Sequence, residues 1–259
     1  MKPDYQRQLN FYAPSAHHNV LIIGAGSTGS YLAFGLARMG VKEITVVDFD
    51  TVENHNLPNQ FFSESQLSEK ENELFKVFAL EASLRQFMPD TMKAIKYTSI
   101  AKDIREVYDE VFPSGKQYTA IFMAVDDMSV RKWLWTEFKA KGHRTRWYID
   151  PRTGGEYANI FSVDTKHGIS KEVYEQNLWN NEEVSPLPCT GRAVIDVTLC
   201  VVGECIGRFR QCVKNNLQVI WTFHSYNIGS SVIMAHKPLG DNVIHNDKFV
   251  VEAGAENNG

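Results

Sequence analysis

An apolar, β-favouring run, Asn19-Val20-Leu21-Ile22-Ile23, ends directly in Gly24-Ala25-Gly26-Ser27-Thr28-Gly29, after which apolar residues recur at helical spacing. A strand that becomes a helix within so few residues needs glycine where the backbone bends and where the two elements pack closely. The free N–H groups at the helix start then favour an anion. The chain continues in the same alternation, with strands expected at 43–48, 93–99, 118–125 and 146–150 and helices at about 27–39, 70–87, 101–111 and 128–141. Gly40, Pro89 and Gly142 stand where helices should stop. Short right-handed β-α-β units of this kind predict an α/β, Rossmann-like fold: a mostly parallel sheet flanked by helices. Beyond Asp150 a strand is expected at 156–164, a polar stretch to Pro188, a buried helix from Arg192 to Val213, and a strand pair at 217–225 and 230–237. These form an antiparallel C-terminal extension. The division expected is an N-terminal arm over 1–18, one domain over 19–250 and a flexible tail over 251–259, with both ends loosely held.

Composition narrows the functions. The 259 residues are 43% hydrophobic, enough for one full core or for two small ones, and the net charge of −4 gives no reason to expect nucleic acid or an anionic membrane as a partner. No apolar stretch reaches the roughly 18 residues that cross a bilayer, and the start, MKPDYQRQLN, lacks a basic flank and apolar core, so a cytoplasmic location is expected. Four cysteines (Cys189, Cys200, Cys205, Cys212) form no C-x-x-C, so neither a disulfide framework nor zinc is expected.

Gly24, Gly26 and Gly29, followed by Asp48 at the end of the next strand, are the features of a dinucleotide site in which the carboxylate holds a ribose hydroxyl. Alone they would suit an NAD-dependent oxidoreductase. The segment from Asp48 through Asp50, Asn56 and Leu57 to Gln60 instead resembles the D-x-D…N-L-x-R-Q signature of the ThiF/MoeB/HesA family, bacterial relatives of the ubiquitin-activating enzymes that bind ATP on a Rossmann-like domain. Three separate matches support the resemblance: Tyr5-Gln6-Arg7-Gln8 is similar to the family's Y-x-R-Q, Lys76 falls where the family has a phosphate-binding lysine, and Asp126 with Arg131 resembles its D-N-x-x-x-R. The similarity runs over about residues 4 to 213, making 19–250 a ThiF-type adenylation domain.

The resemblance implies ATP-dependent adenylation of the C-terminal carboxylate of a small ubiquitin-like or sulfur-carrier protein ending in Gly-Gly. It implies catalytic roles for Arg7, Lys76, Asp126 and Cys189, with Asp126 holding Mg2+, and nucleotide contacts from the three glycines, Asp48, Asp50, Asn56 and Gln60. Arg7 is expected to reach the ATP phosphates of the partner in a homodimer. Cys189, in a Pro-rich loop before the long helix, is placed to accept the acyl group as a thioester or to carry a persulfide; the plainer reading is a buried packing residue. Cys200, Cys205 and Cys212 read as core, and His17-His18 as a solvated pair. Two departures stand out. The family's arginine is Asn59 here, so Lys42, Arg38 or another cation must compensate, or turnover is reduced or lost, leaving a nucleotide-binding scaffold; and Asp127 replaces the asparagine beside Asp126.

Overall fold

The computed structural model describes residues 3–67, 74–154, 157–178 and 194–214. In chain order these form β1 (Asn19–Ile23), α1 (Ser27–Met39), β2 (Glu43–Val47), α2 (Lys76–Phe87), α3 (Pro89–Lys93), β3 (Lys96–Ile100), α4 (Tyr108–Val111), β4 (Ala120–Met123), α5 (Met128–Ala140), β5 (Trp147–Gly154), β6 (Tyr157–Asp164), α6 (Gly168–Gln176) and α7 (Ile195–Val213). The strands make one six-stranded sheet in the order β3-β2-β1-β4-β5-β6. All neighbours are parallel except β5 and β6, which pair antiparallel from Trp147 opposite Asp164 to Gly154 opposite Tyr157.

The central strands read as unbroken apolar runs because both faces of the sheet are covered. Val20 and Ile22 of β1 and Phe122 of β4 enter one core with α1, α2, α3 and α7. Leu21, Ile23, Ile121 and Met123 point the other way, into a second core with α4, α5 and Tyr174 of α6. Successive β1 connections leave in opposite directions, to β2 and eventually to β4, so a crevice opens at the carboxyl ends of β1 and β4, where ligands bind in sheets of this type.

Several sequence expectations change. Helix 101–111 shrinks to Tyr108–Val111, and Lys93 belongs to α3 rather than to β3. The polar stretch before Pro188 contains α6. Cys200 is exposed, whereas Cys205 and Cys212 are buried. The expected strand pair at 217–237 and the tail lie outside the described residues.

The arm, expected to be loose, is docked. Gln8 Nε2 donates to the Met39 carbonyl at 2.7 Å, Tyr5 packs on Gly40, and Tyr12 is 2% exposed. His18 is not a solvated residue: its Nδ1 lies 2.8 Å from the Tyr12 hydroxyl, and both rings approach Phe209 of α7. Burial, with His17 adding to it, pushes the His18 pKa below its ordinary 6.5. A group that titrates lower when folded stabilises fully above its unfolded value and loses that contribution as pH falls through its folded one. Thermal midpoints of the wild type are therefore expected to fall below about pH 6.5 by more than those of His18→Gln, measured by circular dichroism across pH 4.5–8.

Candidate active site

The glycine turn uses its three glycines differently. Gly24 has φ 96, and a Cβ there would stand 2.4 Å from the Ala124 carbonyl at the end of β4. A Cβ on Gly29 would stand 1.9 Å from the Gly24 carbonyl, so helix and turn pack through this position. Gly26, the N-cap of α1, has φ −72 and nothing within 4 Å of its Cβ position. Gly24 and Gly29 thus shape the turn, and Gly26 alone faces open space. Gly29→Ala is expected to destabilise the protein by about 2 kcal/mol or more, and Gly26→Ala to stay within roughly 0.5 kcal/mol, by urea unfolding.

Asp48 closes the turn from the next strand. Its Oδ2 accepts from Ala25 N at 2.5 Å and its Oδ1 from Asp50 N at 2.7 Å, leaving each oxygen a further lone pair for a hydroxyl. Burial raises its pKa, opposed by those two N–H donors and by Lys76.

A short antiparallel ladder sets Lys76. Thr51 bridges Phe75, Val52 N donates to Leu74 O at 2.9 Å, and Lys76 N donates to Asp50 O at 2.8 Å. The start of α2 is thereby fixed on the loop after β2, with Lys76 Nζ 2.8 Å from Asp50 Oδ2. Lys76 is only 7% exposed, so it is no solvated surface lysine. A cation in the first turn of a helix works against the helix dipole, at a cost of about 0.3–1 kcal/mol. Its position therefore owes nothing to helix stability.

The remaining expected residues divide. Asp126 follows β4, is exposed and makes no hydrogen bond among the described residues; Asp127 instead caps α5, accepting from Ser129 N at 2.7 Å. Asn56 is 3% exposed and spends its Oδ1 on Glu53 N at 2.8 Å in a reciprocal cap of the loop. Gln60 lies where Phe61 N bonds Ser30 Oγ in the first turn of α1, and its Oε1 is enclosed without a hydrogen-bond partner. Cys189 lies outside the described residues.

Arg7 is exposed and sits elsewhere. Its neighbour Gln8 holds the last residue of α1, and the 13 residues of that helix span about 20 Å from the glycine turn. Arg7 cannot serve the turn of its own chain. Arg38 and Lys42 lie at this same far end, Arg38 over Phe34 and Phe87 and Lys42 over Tyr5, so neither replaces the cation missing at Asn59. A cation that sequence patterns missed is Arg105, beyond β3, gripping Asp103 through Nε and Nη2 and lying within electrostatic range of Asp127. Arg105 holds the Asp103 carboxyl below its usual range. Only its place in the fold reveals it.

Arg131 does not face the crevice. It is 4% exposed, its Nε donates to Asp150 Oδ1 at 3.0 Å, and its Nη2 donates to the Pro151 carbonyl at 3.2 Å. Asp150, with no exposure, also accepts from Arg152 Nε at 2.9 Å and the Tyr174 hydroxyl at 2.8 Å. This cluster ties the start of α5, and with it the Asp126 loop, to β5.

Residues 5–208 match the model of the ThiF family. The chain belongs to that family. Among curated ThiF relatives it is 29% identical over 116 residues to the NEDD8-activating enzyme E1 catalytic subunit of Schizosaccharomyces pombe, covering 44% of this chain and 23% of that one. It is 29% identical over 134 residues to ubiquitin-like modifier-activating enzyme 5 of Gallus gallus, covering 49% of this chain and 31% of that one. The matched part is thus less than a third of either relative. In fold the chain is similar to E. coli MccB solved with ATP (TM-score 0.55, 18% identity, 83% of this chain and 64% of that one). It is also similar to E. coli tRNA N6-threonylcarbamoyladenosine dehydratase, TcdA, in complex with ATP (TM-score 0.55, 16% identity, 82% and 90%). The ThiF-family sheet explains why the glycine turn, the Asp48 loop and Asp126 converge at one edge.

Among the described residues no three His, Cys, Asp or Glu side chains form a metal cage, and no helix is long and apolar enough to cross a membrane. A single free carboxylate at Asp126 still fits Mg2+, which typically binds one or two carboxylates together with nucleotide phosphates rather than an all-protein cage.

Proposed function

We propose that the protein adenylates the C-terminal carboxylate of a small ubiquitin-like or sulfur-carrier protein ending in Gly-Gly. The observation that carries this is the buried Lys76, held beside Asp50 at the same sheet edge as the open Gly26 backbone and the free Asp126. A carboxylate oxygen of the carrier attacks the α-phosphorus of ATP. The new O–P bond forms as the bond to the bridging oxygen breaks, and pyrophosphate leaves with the electron pair. No general base is needed, because the attacking carboxylate is ionised at neutral pH.

Two anions meet in this step, so the requirement is positive field. The start of α1 offers free N–H groups to the phosphates, Lys76 turns from Asp50 to the nucleotide, and Asp48 accepts from a ribose hydroxyl. Asn56 shapes the loop, and Gln60 offers its enclosed oxygen to the nucleotide or the carrier tail. Asp126 would hold Mg2+, which would supply positive charge to offset that on the pyrophosphate leaving group. Arg7 comes from a second copy of the chain. Transfer from the adenylate to Cys189 displaces AMP and forms a thioester.

The family match and the ATP complexes among structures of similar fold support ATP over NAD. Asn59, where the family carries arginine, favours one other reading: a scaffold that binds ATP and carrier without turnover. ATP–pyrophosphate exchange in the presence of a Gly-Gly carrier separates the two. Exchange that Asp126→Ala and Arg7→Ala each reduce at least about 100-fold is the expected result. Nucleotide binding with no exchange would establish the scaffold, and exchange untouched by both substitutions would refute the site.

A further inference from the structure

The segment between β3 and α4, residues 101–107, leaves the sheet beside Asp48. Asp48 N donates to the Ile100 carbonyl at 3.1 Å, so the chain departs from next to the carboxylate that closes the glycine turn. It then crosses the sheet edge. Ile104 and Val107, each 4% exposed, enter the core that holds Ile23 of β1 and Met123 of β4, and Asp103 and Arg105 both come within electrostatic range of Asp127. β2 and β1 lie between β3 and β4, so a segment that starts at β3 and approaches the residues after β4 passes the carboxyl ends of both. That is the edge at which the crevice opens.

Arg105 is the side chain this segment holds out. Its N–H donates to Asp103 Oδ1 at 2.8 Å, and its Nε donates to the same carboxylate at 3.0 and 3.1 Å, joined by Nη2. The Asp103 side chain is 16% exposed and that of Arg105 47%, so the acid is packed and the guanidinium stands in water. Nη1 makes no hydrogen bond among the described residues. A guanidinium gripped along one edge by a carboxylate loses little freedom on binding and keeps its other edge for a bidentate contact with phosphate.

The surroundings give that contact a purpose. Asp48, Asp50, Asp126 and Asp127 all lie beyond the carboxyl ends of the parallel strands, and a triphosphate adds further negative charge to the same edge. Lys76 already faces Asp50, and the loop packed on the first turn of α1 brings the neutral Asn59 and Gln60. We propose that Arg105 grips the outer phosphates of ATP through its free edge. In its catalytic consequence the inference rests on the adenylation reading: Arg105 then stabilises the pyrophosphate as it gains charge on leaving.

Titration calorimetry of the full chain with Mg-ATP and with AMP reads the contact without turnover. Arg105→Ala is expected to weaken ATP binding at least about tenfold and AMP binding by no more than about threefold, since AMP ends at the α-phosphate. A stranded Asp103 would itself repel an anion. D103N/R105A, which removes both charges, should therefore show the same selective loss. Carrier-dependent exchange by Arg105→Ala should fall about 100-fold. Equal losses for ATP and AMP would put Arg105 on the base or ribose, unchanged ATP binding would leave it a loop residue, and ATP binding restored in D103N/R105A would trace the effect to Asp103; each overturns the proposal. A selective loss of ATP in a chain whose wild type shows no exchange would uphold Arg105 and refute adenylation, whereas exchange by a wild type whose Arg105→Ala variant loses nothing would refute Arg105 alone.

Discussion

Lys76→Ala is expected to lower carrier-dependent ATP–pyrophosphate exchange by a factor of about 10² to 10³ while moving the thermal midpoint by no more than about 4 °C. The asymmetry follows from where the two charges of its ion pair sit. Lys76 is 7% exposed, but the Asp50 side chain keeps 51% of its surface in water, so removing the amine leaves a hydrated carboxylate rather than a buried one. The fold loses little. The nucleotide loses a cation held in place before it arrives, and that is the kind of group whose removal is felt mainly in the transition state. Asp50→Asn should release the amine toward phosphate and leave exchange within about tenfold of wild type; a loss as large as that of Lys76→Ala would show that Asp50 contacts substrate itself.

The opposite pattern is expected of Asp150. Two guanidinium groups and a tyrosine hydroxyl converge on a carboxylate with no exposure. Asp150→Ala strands buried positive charge, and breaking a buried pair from one side costs about 3–5 kcal/mol. At roughly 2–4 °C per kcal/mol for a domain of this size, the thermal midpoint should fall by about 6–20 °C. Replacing Arg131, Asp150 and Arg152 together by apolar residues of similar volume should be far milder than Asp150→Ala alone, because no unpaired charge remains. Calorimetry of the two variants decides it. Equal losses would mean that the cluster contributes through shape and not through charge. A milder triple variant that still loses exchange would show that the tie from α5 to β5 positions the Asp126 loop.

The legible parts of this molecule are those where one residue type alone meets the geometric demand. Gly24 and Gly29 are required by contacts of a Cβ with backbone, and a strand-turn-helix follows from them. The helix expected at 101–111 failed for a local reason. Asp103 Oδ1 accepts from Arg105 N at 2.8 Å, a side-chain turn that competes with helical hydrogen bonds. At Pro89 a helix stop is also a helix start, since proline suits the first position of α3. Apolar character alone places Cys200 inward with Cys205 and Cys212, but only those two share a face at helical spacing, and Cys200 is exposed. Motif spacing named Asp48, Asp50, Lys76 and Asp126, which lie beyond the carboxyl ends of the parallel strands, and it does not mark Arg105. It also could not show that Arg131, part of a recognised motif, turns away to Asp150, because that partner is distant in sequence and joined only by the β4–β5 pairing.

The most direct measurement is the intact mass of a Gly-Gly carrier protein after incubation with this chain and Mg-ATP. With Cys189→Ser, which cannot take up the acyl group, the carrier should gain one adenylate at its C-terminal carboxylate, pyrophosphate should be released in equal amount, and neither should form when Lys76→Ala is added to the chain. An unmodified carrier, together with tight NADH binding and no ATP binding, would contradict adenylation and return the glycine turn and Asp48 to an oxidoreductase.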